Sequence, residues 1–232
     1  MDINNLLTII ITASFIPSHP SIKIIQETIE SLQLINMPSN TKIILAHDYN
    51  KDINYIQYFE KLNEYINPLS NIKIEIRTTK GHLTGNIRNV LQYITSKYIL
   101  VIQHDLPFIK EFDIQKVIYD MDENTNIKYV RFNKRKNVKS GFDSVNNLFG
   151  LQVNQKNYTY TRTPAWSDNN HLCLTGYYTD IVMKECLDGC PMEKILHGKN
   201  KNEEIHKIYG TYLFGELNHP QVIKHTDGQK SK

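Results

Sequence analysis

The feature that most constrains this chain is a continuous, largely β-branched run near its amino terminus, Leu6 to Thr12. Apolar side chains in such a run point to both faces, so both faces of the strand must be buried. A strand of that kind belongs in a sheet covered by helices on each side. The apolar stretch continues to Ile16 but is too short to cross a membrane, and it contains Thr8, Thr12 and Ser14. Asp2, Asn4 and Asn5 precede it, where a secretory leader would carry basic residues.

Beyond this run the chain alternates helical and extended patterns. Ile22, Ile25, Ile29 and Leu32 recur at helical spacing, with Ser21 as a candidate N-cap. Lys42–Ala46 reads as a second strand, Tyr55–Tyr65 as a helix and Ile72–Arg77 as a third strand. A loop from Thr78 to Thr84 leads to a helix marked by Ile87, Val90, Leu91 and Ile94, and then to a fourth strand, Tyr98–Ile102. This order predicts an α/β domain with a mainly parallel, Rossmann-like sheet flanked by helices.

The second half is less regular. A helix is expected over Phe112–Met121, a strand over Tyr129–Asn133, and irregular structure over Asn137–Asn170. A short strand and a helix are expected within Leu172–Leu187, a polar helical stretch over Met192–Ile208, and a frayed tail at Asp227–Lys232. No repeat or linker divides the chain. A single domain over 1–232 is therefore expected, with halves of about 1–110 and 111–232.

Charge narrows the partners. The 27 Lys and Arg stand against 24 Asp and Glu, a net charge of +3, which makes no demand for nucleic acid. The densest basic run, Lys134-Arg135-Lys136 with Lys139 nearby, reads as a solvated loop, with an anion-binding patch as the alternative. Three cysteines suggest buried thiols and no disulfide framework. Cys186 and Cys190 with His197 and His206 fit no common zinc spacing. A soluble, cytoplasmic protein without a membrane span is expected.

In open α/β sheets, ligands bind beyond the carboxyl ends of the strands. The second and fourth strands deliver His47-Asp48-Tyr49 and Gln103-His104-Asp105 to those ends. A carboxylate such as Asp105 can hold Mn²⁺ or Mg²⁺, which keep water and phosphate oxygens as their remaining ligands; the plainer alternative is a solvated capping residue. The stretch Lys80–Asn89 has Gly81 and Gly85 before and within a helix start, and Arg88 one turn further on. Such an arrangement suits an anion, and equally suits an ordinary capped helix. Asp48 can accept hydrogen bonds from a base or a ribose, or serve only the turn.

The order of four blocks resembles the family 2-like GT-A glycosyltransferases. These are Leu7-Thr-Ile-Ile-Ile-Thr-Ala-Ser14, Ile44-Leu-Ala-His-Asp48, Gly85-Asn-Ile-Arg-Asn89 and Tyr98-Ile-Leu-Val-Ile-Gln-His-Asp105. The resemblance covers roughly residues 6–110. It implies a GT-A fold and a nucleotide-sugar donor, a UDP-sugar first. Thr12, Ala13, Ser14 and Asp48 would contact the nucleoside, with Lys80, Gly85 and Arg88 beside the diphosphate. Gln103-His104-Asp105 takes the place of the Asp-X-Asp metal motif, its first acid absent. Gln103 and His104 would then face the donor, and Asp105 the metal. His225 would complete the metal shell, with His219 as rival.

Past the blocks, the resemblance places Glu193 at the family's acidic position, with Met192 where the family has a first acid. A base must take the acceptor proton; Glu193 is the first candidate and Asp168 the second. The acceptor would be a glycan or glycoprotein, and Trp166 could stack on its sugar ring or be a core aromatic. Three alternatives stay open: a silent nucleotide-sugar-binding module, a sugar-1-phosphate nucleotidyltransferase and a retaining transferase. The segment Thr12–Pro17 lacks the glycine-rich loop expected of the second.

Overall fold

The computed structural model describes residues 6–18, 20–69, 72–140 and 148–226; the tail expected to fray at 227–232 lies outside them. The opening run becomes β1 (Leu7–Ser14), buried from Leu7 through Ala13. On one side it pairs in parallel with β2 (Lys42–Asp48), which pairs in parallel with β3 (Ile74–Thr79). On its other side β1 pairs in parallel with β4 (Tyr98–Gln103). The connections are α1 (Lys23–Glu30), α2 (Ile53–Ile66) and α3 (His82–Leu91). The chain thus leaves β1 in one direction and returns to β4 on the opposite flank, which opens a crevice at the carboxyl ends of these two strands.

The second half extends the same sheet. After α4 (Ile114–Glu123) come β5 (Tyr129–Arg131), β6 (Gln152–Asn154), β7 (Thr159–Arg162) and β8 (His171–Leu174). Next come α5 (Thr175–Tyr177), a π-helical turn (Tyr178–Val182) and α6 (Met183–Glu185). The chain ends its regular structure with α7 (Met192–Leu196), α8 (Glu203–Tyr209) and β9 (Thr211–Phe214). Among the described residues the strand order is β3-β2-β1-β4-β8-β5-β9-β7-β6. β8 joins β4 antiparallel and β5 runs parallel to β9. Helices therefore cover a mixed, largely parallel sheet on both faces.

Alternation along β1 feeds two cores. Ile9 and Ile11 pack with Leu45, Ile29 of α1, Leu62 of α2 and Val117 of α4. Ile10 packs with Ile44, Ile87 of α3, Val182, Leu196 and Trp166. Each fully buried aliphatic side chain contributes about 1.5–3 kcal/mol, so the two cores supply most of the folding drive. No helix among the described residues is long and apolar enough to cross a membrane.

Several boundaries differ from the sequence expectation. Ile22, not Ser21, takes the cap position of α1, with no side-chain cap. α3 begins at His82, two residues before Thr84, because Gly81 lets its first turn close; a Cβ there would lie 2.5 Å from the Gly85 Cα. α4 starts at Ile114 because the Asp113 carboxylate accepts from the Gln115 and Lys116 amides at 3.0 and 3.3 Å. The stretch 192–208 is two short helices, since Asn202 caps a new one by accepting from Ile205 N at 2.9 Å. The segment 137–170 is not wholly irregular: outside the undescribed 141–147 it holds the β6–β7 hairpin.

That hairpin is fastened by one buried carboxylate. Asp120 of α4 is 0% exposed and accepts from Asn157 N, Asn157 Nδ2, Tyr158 N and the Tyr160 hydroxyl at 2.9–3.1 Å. Removing the acceptor strands several buried donors, each costing about 1–3 kcal/mol. Asp120→Ala should lower the unfolding free energy by about 3 kcal/mol or more, measured by urea denaturation. A change of a few tenths would show that the hairpin is held otherwise.

Candidate active site

At the sheet's switch point the carboxyl ends of β1 and β4 lie side by side, with Thr12 opposite Gln103. His104 N donates to the Thr12 carbonyl at 2.9 Å and so continues the ladder past the end of β4. Above these ends opens a cavity of about 410 Å³. Its walls include Thr12, Ala13, Ser14 and Asp48 from β1 and β2, and Gln103, His104 and Asp105 from the turn after β4. With Asp168, which lines the same cavity, the structure thus gathers eight of the residues singled out in the sequence. It adds Ile16 and, from the Lys80–Asn89 stretch, His82, Leu83 and Asn86, none of which had a role of its own in the sequence reading. His82 adopts a left-handed backbone with φ of 50°. Its amide donates to the Asp48 carboxylate at 3.3 Å, and its ring Nδ1 lies 3.4 Å from the other oxygen.

Asp105 is pinned from the far end of the chain. Its carbonyl accepts from Thr226 N at 2.9 Å and Thr226 Oγ1 at 3.1 Å. The strand-like return is completed by Ile109 N to the Val222 carbonyl and Lys224 N to the Pro107 carbonyl. This return brings His225 Nε2 to 3.1 Å from the Asp105 carboxylate. His219 instead pairs with Glu216 at 3.7 Å and packs on Phe214. Among the described residues no three His, Cys, Asp or Glu side chains converge. An oxygen and an imidazole nitrogen at one edge of a diphosphate-sized crevice fit a cation that keeps several waters and takes phosphate oxygens. They do not make a closed structural site.

Gln103, which stands where the resemblance expects an acid, has a role in packing. Gln103 Nε2 donates to the Asp168 carbonyl at 2.8 Å, and Gln103 N donates to Asn170 Oδ1 at 3.0 Å. Asn170, wholly buried, also donates through Nδ2 to the Leu106 carbonyl at 2.7 Å. One amide side chain therefore clamps both ends of the Gln103–Leu106 turn. The same clamp carries Asp168 to the crevice wall.

Asp168 lies close enough to Glu193 there for the two carboxyls to act on each other. Burial, then the charge and hydrogen bond of Glu193, push the Asp168 carboxyl up to about 6, against a smaller opposing contribution from Gln103. Both base candidates thus occur as one unit, at the junction of the crevice and a neighbouring cavity that Glu193 lines.

Four expected site residues lie elsewhere. Arg88 faces away from the crevice: Nε donates to Asp188 at 2.6 Å, and Nη2 donates to the carbonyls of Met183, at 3.1 Å, and Cys186. Gly85 is buried in α3 against the Asp188 side chain. Thr84 Oγ1 donates to the Cys190 carbonyl. α3 thereby grips the 183–190 segment that leads directly to Glu193. Lys80 is exposed, its ammonium 4.8 Å from the Tyr49 ring. Trp166 is 0% exposed and packs near Tyr129, so the core alternative holds and it offers no face to a sugar ring. Cys173, Cys186 and Cys190 are free thiols, the first two buried, as expected.

Comparison with known proteins agrees with this geometry. The model of the family described as glycosyl transferase family 2 matches residues 14–178. Glu193 and His225 lie past that match. Among solved structures, S. aureus TarS 1–349 superposes with a TM-score of 0.54 at 18% identity, over 95% of this chain and 60% of that one. The same protein in complex with UDP-GlcNAc gives 0.56 at 16% identity, over 97% and 60%. The chain therefore spans about 60% of the length of these structures. No curated protein matches it.

The carboxyl pair has a consequence for pH. A free carboxyl titrates near about 4. The folded state holds the Asp168 proton more tightly than the unfolded chain, so this group's contribution to stability falls as pH rises from about 4 through about 6. Glu193→Gln removes the neighbouring charge and should move the Asp168 titration toward lower pH, followed by carbon-13 NMR of its carboxyl. An unmoved titration would show that the two carboxyls are not coupled.

Proposed function

This chain belongs to glycosyl transferase family 2, and from that premise we propose that it transfers a sugar from a nucleoside-diphosphate sugar to an acceptor hydroxyl, with inversion. The observation that carries this reading is that one crevice is lined by a member of each of two polar pairs: Asp105, which His225 approaches from outside the lining, and Asp168, whose neighbour Glu193 lines the adjoining cavity.

The nucleoside would lie along Thr12–Ser14, with Asp48, oriented by His82, accepting from the base. A UDP-sugar is the favoured donor, supported by the likeness in fold to a protein solved with UDP-GlcNAc. Asp105 and His225 would hold Mn²⁺ or Mg²⁺, which when bound would neutralise the departing diphosphate. The acceptor oxygen attacks the anomeric carbon as that carbon's bond to the diphosphate oxygen breaks. The hydroxyl proton passes to the Asp168–Glu193 pair. A carboxyl raised to about 6 is a stronger base than an ordinary one and is still ionised at neutral pH. Approach from the carboxyl side, opposite the leaving group, gives inversion. The acceptor is a glycan or glycoprotein hydroxyl.

Arg88 and Thr84 act in this scheme as positioning residues, since they hold the segment that delivers Glu193. Their work is to fix the base and not to touch the donor.

Two variants test the scheme. Asp105→Ala should lower nucleotide release from UDP-sugars by about 10²–10³-fold with an unchanged circular dichroism spectrum. Undiminished turnover would overturn the mechanism, and nucleotide binding without turnover on any UDP-, GDP- or dTDP-sugar would mark a binding module. Arg88→Met should lower kcat about tenfold or more while leaving UDP affinity intact. Lost UDP affinity at unchanged kcat would return Arg88 to the diphosphate.

A further inference from the structure

α3 turns an asparagine, and not its arginine, toward the crevice. Asn86 stands two positions before Arg88, a rotation of about 200° around the helix. Arg88 is engaged with the carbonyls of Met183 and Cys186, while Asn86 lines the crevice with His82 and Leu83. Asn86 is 2% exposed, so the groups of its amide must be matched from within the protein or by a ligand. Its oxygen is matched from within: the Thr79 hydroxyl donates to Asn86 Oδ1. An amide whose oxygen is held in this way offers its remaining group, the Nδ2 donor, to what enters.

Asp48 is its neighbour in the lining. Thr79 and Asp48 are register partners on β3 and β2, so their side chains rise from the same face of the sheet, one strand spacing apart. Tyr49 N donates to the Thr79 carbonyl at 2.7 Å and keeps the two strands together at this point. His82, in its left-handed conformation, holds both oxygens of Asp48. Its amide donates to Oδ1 at 3.3 Å, and its ring Nδ1 lies 3.4 Å from Oδ2. A carboxylate has about four lone-pair sites, so Asp48 can still accept from a ligand. The crevice thus presents an acceptor with a donor beside it, each fixed by a side chain behind it.

That pattern complements one kind of base edge. Uracil and thymine carry a ring N–H beside a carbonyl, whereas cytosine carries a ring-nitrogen lone pair beside an amino group. Against Asp48 and Asn86 the first edge makes two hydrogen bonds. The second sets a lone pair against a carboxylate and an amino group against an amide N–H. Guanine shares the N–H and carbonyl edge, so the pair separates keto from amino bases and takes no account of ring size. We propose that Asn86 is a base-reading residue: its Nδ2 donates to the base carbonyl next to the ring N–H that Asp48 accepts. Thr79 is then a positioning residue that fixes the amide. The inference rests on the reading of the β1–β4 crevice as the donor site. It adds the class of base and the side chain that selects it.

The test titrates UDP and CDP into the full chain by calorimetry, each with the same Mn²⁺, so that the shared ribose, diphosphate and metal cancel in the ratio of affinities. Wild type should bind UDP at least about tenfold more tightly than CDP. Asn86→Leu, of similar volume, should lower UDP affinity about tenfold and leave CDP affinity unchanged or higher. A merely structural role for Asn86 would weaken both nucleotides alike and keep their ratio. Thr79→Val should also lower the ratio, and adding it to Asn86→Leu should lower it no further. The wild-type ratio needs no variant, and Thr79→Val reads the same ratio should Asn86→Leu fail to fold. UDP binding matched by CDP in wild type, or a ratio that the variants leave unchanged, overturns the proposal and leaves the donor reading standing. Failure of wild type to bind either nucleotide overturns the donor reading and this proposal with it.

Discussion

The buried amide of Asn170 holds the site together. Its oxygen takes the Gln103 amide and its nitrogen serves the Leu106 carbonyl. Between those two bonds lies the turn that presents His104 and Asp105. In a dry interior both bonds must be made together, because losing either leaves a polar group with no water to satisfy it. The turn therefore has one shape. Asp168, two residues before the clamp and fastened by Gln103, is placed by the same interaction. The two halves of the chain meet at this point, and the proposed chemistry depends on their meeting.

Around this clamp the fold supplies two further restraints. The carboxy-terminal return fixes Asp105 through Thr226 and delivers His225 beside it. α3 fixes the other flank, since Arg88 and Thr84 hold the segment before Glu193. Asp105 in its turn, Asp168 in the segment before β8 and Glu193 on α7 are thus each held by groups distant in sequence. Side chains fixed in this way lose little freedom when a ligand arrives, which is what positional catalysis requires.

The alternating first half was legible in the sequence because periodicity reports burial, and burial on both faces of β1 dictates a covered parallel sheet. The cluster at the strand ends came from that topology, and Thr12–Ser14, Asp48 and Gln103–Asp105 do meet. Arg88 and Trp166 were harder. An arginine one turn into a helix looks alike whether it faces a ligand or a neighbouring carbonyl, and the choice is made by residues nearly a hundred positions away. A lone tryptophan among polar neighbours gives no sign that it will join Tyr129 and Tyr177 in one buried cluster. Asn170 and His82 lay in stretches already marked, but nothing local distinguished them from their neighbours. Their roles arise from long-range contacts and from one left-handed backbone conformation. The pairing of Asp168 with Glu193, 25 positions apart, turned two rival candidates into one unit.

The most direct measurement is a crystal of the chain grown with Mn²⁺ and UDP, with the metal located by anomalous scattering. The expected result is a single strong peak within bonding distance of the Asp105 carboxylate and the His225 imidazole, with the nucleoside along Thr12–Ser14 and the Asp168–Glu193 pair facing the vacant side of the diphosphate. A metal bound elsewhere, or a nucleotide seated away from the β1–β4 crevice, would contradict it.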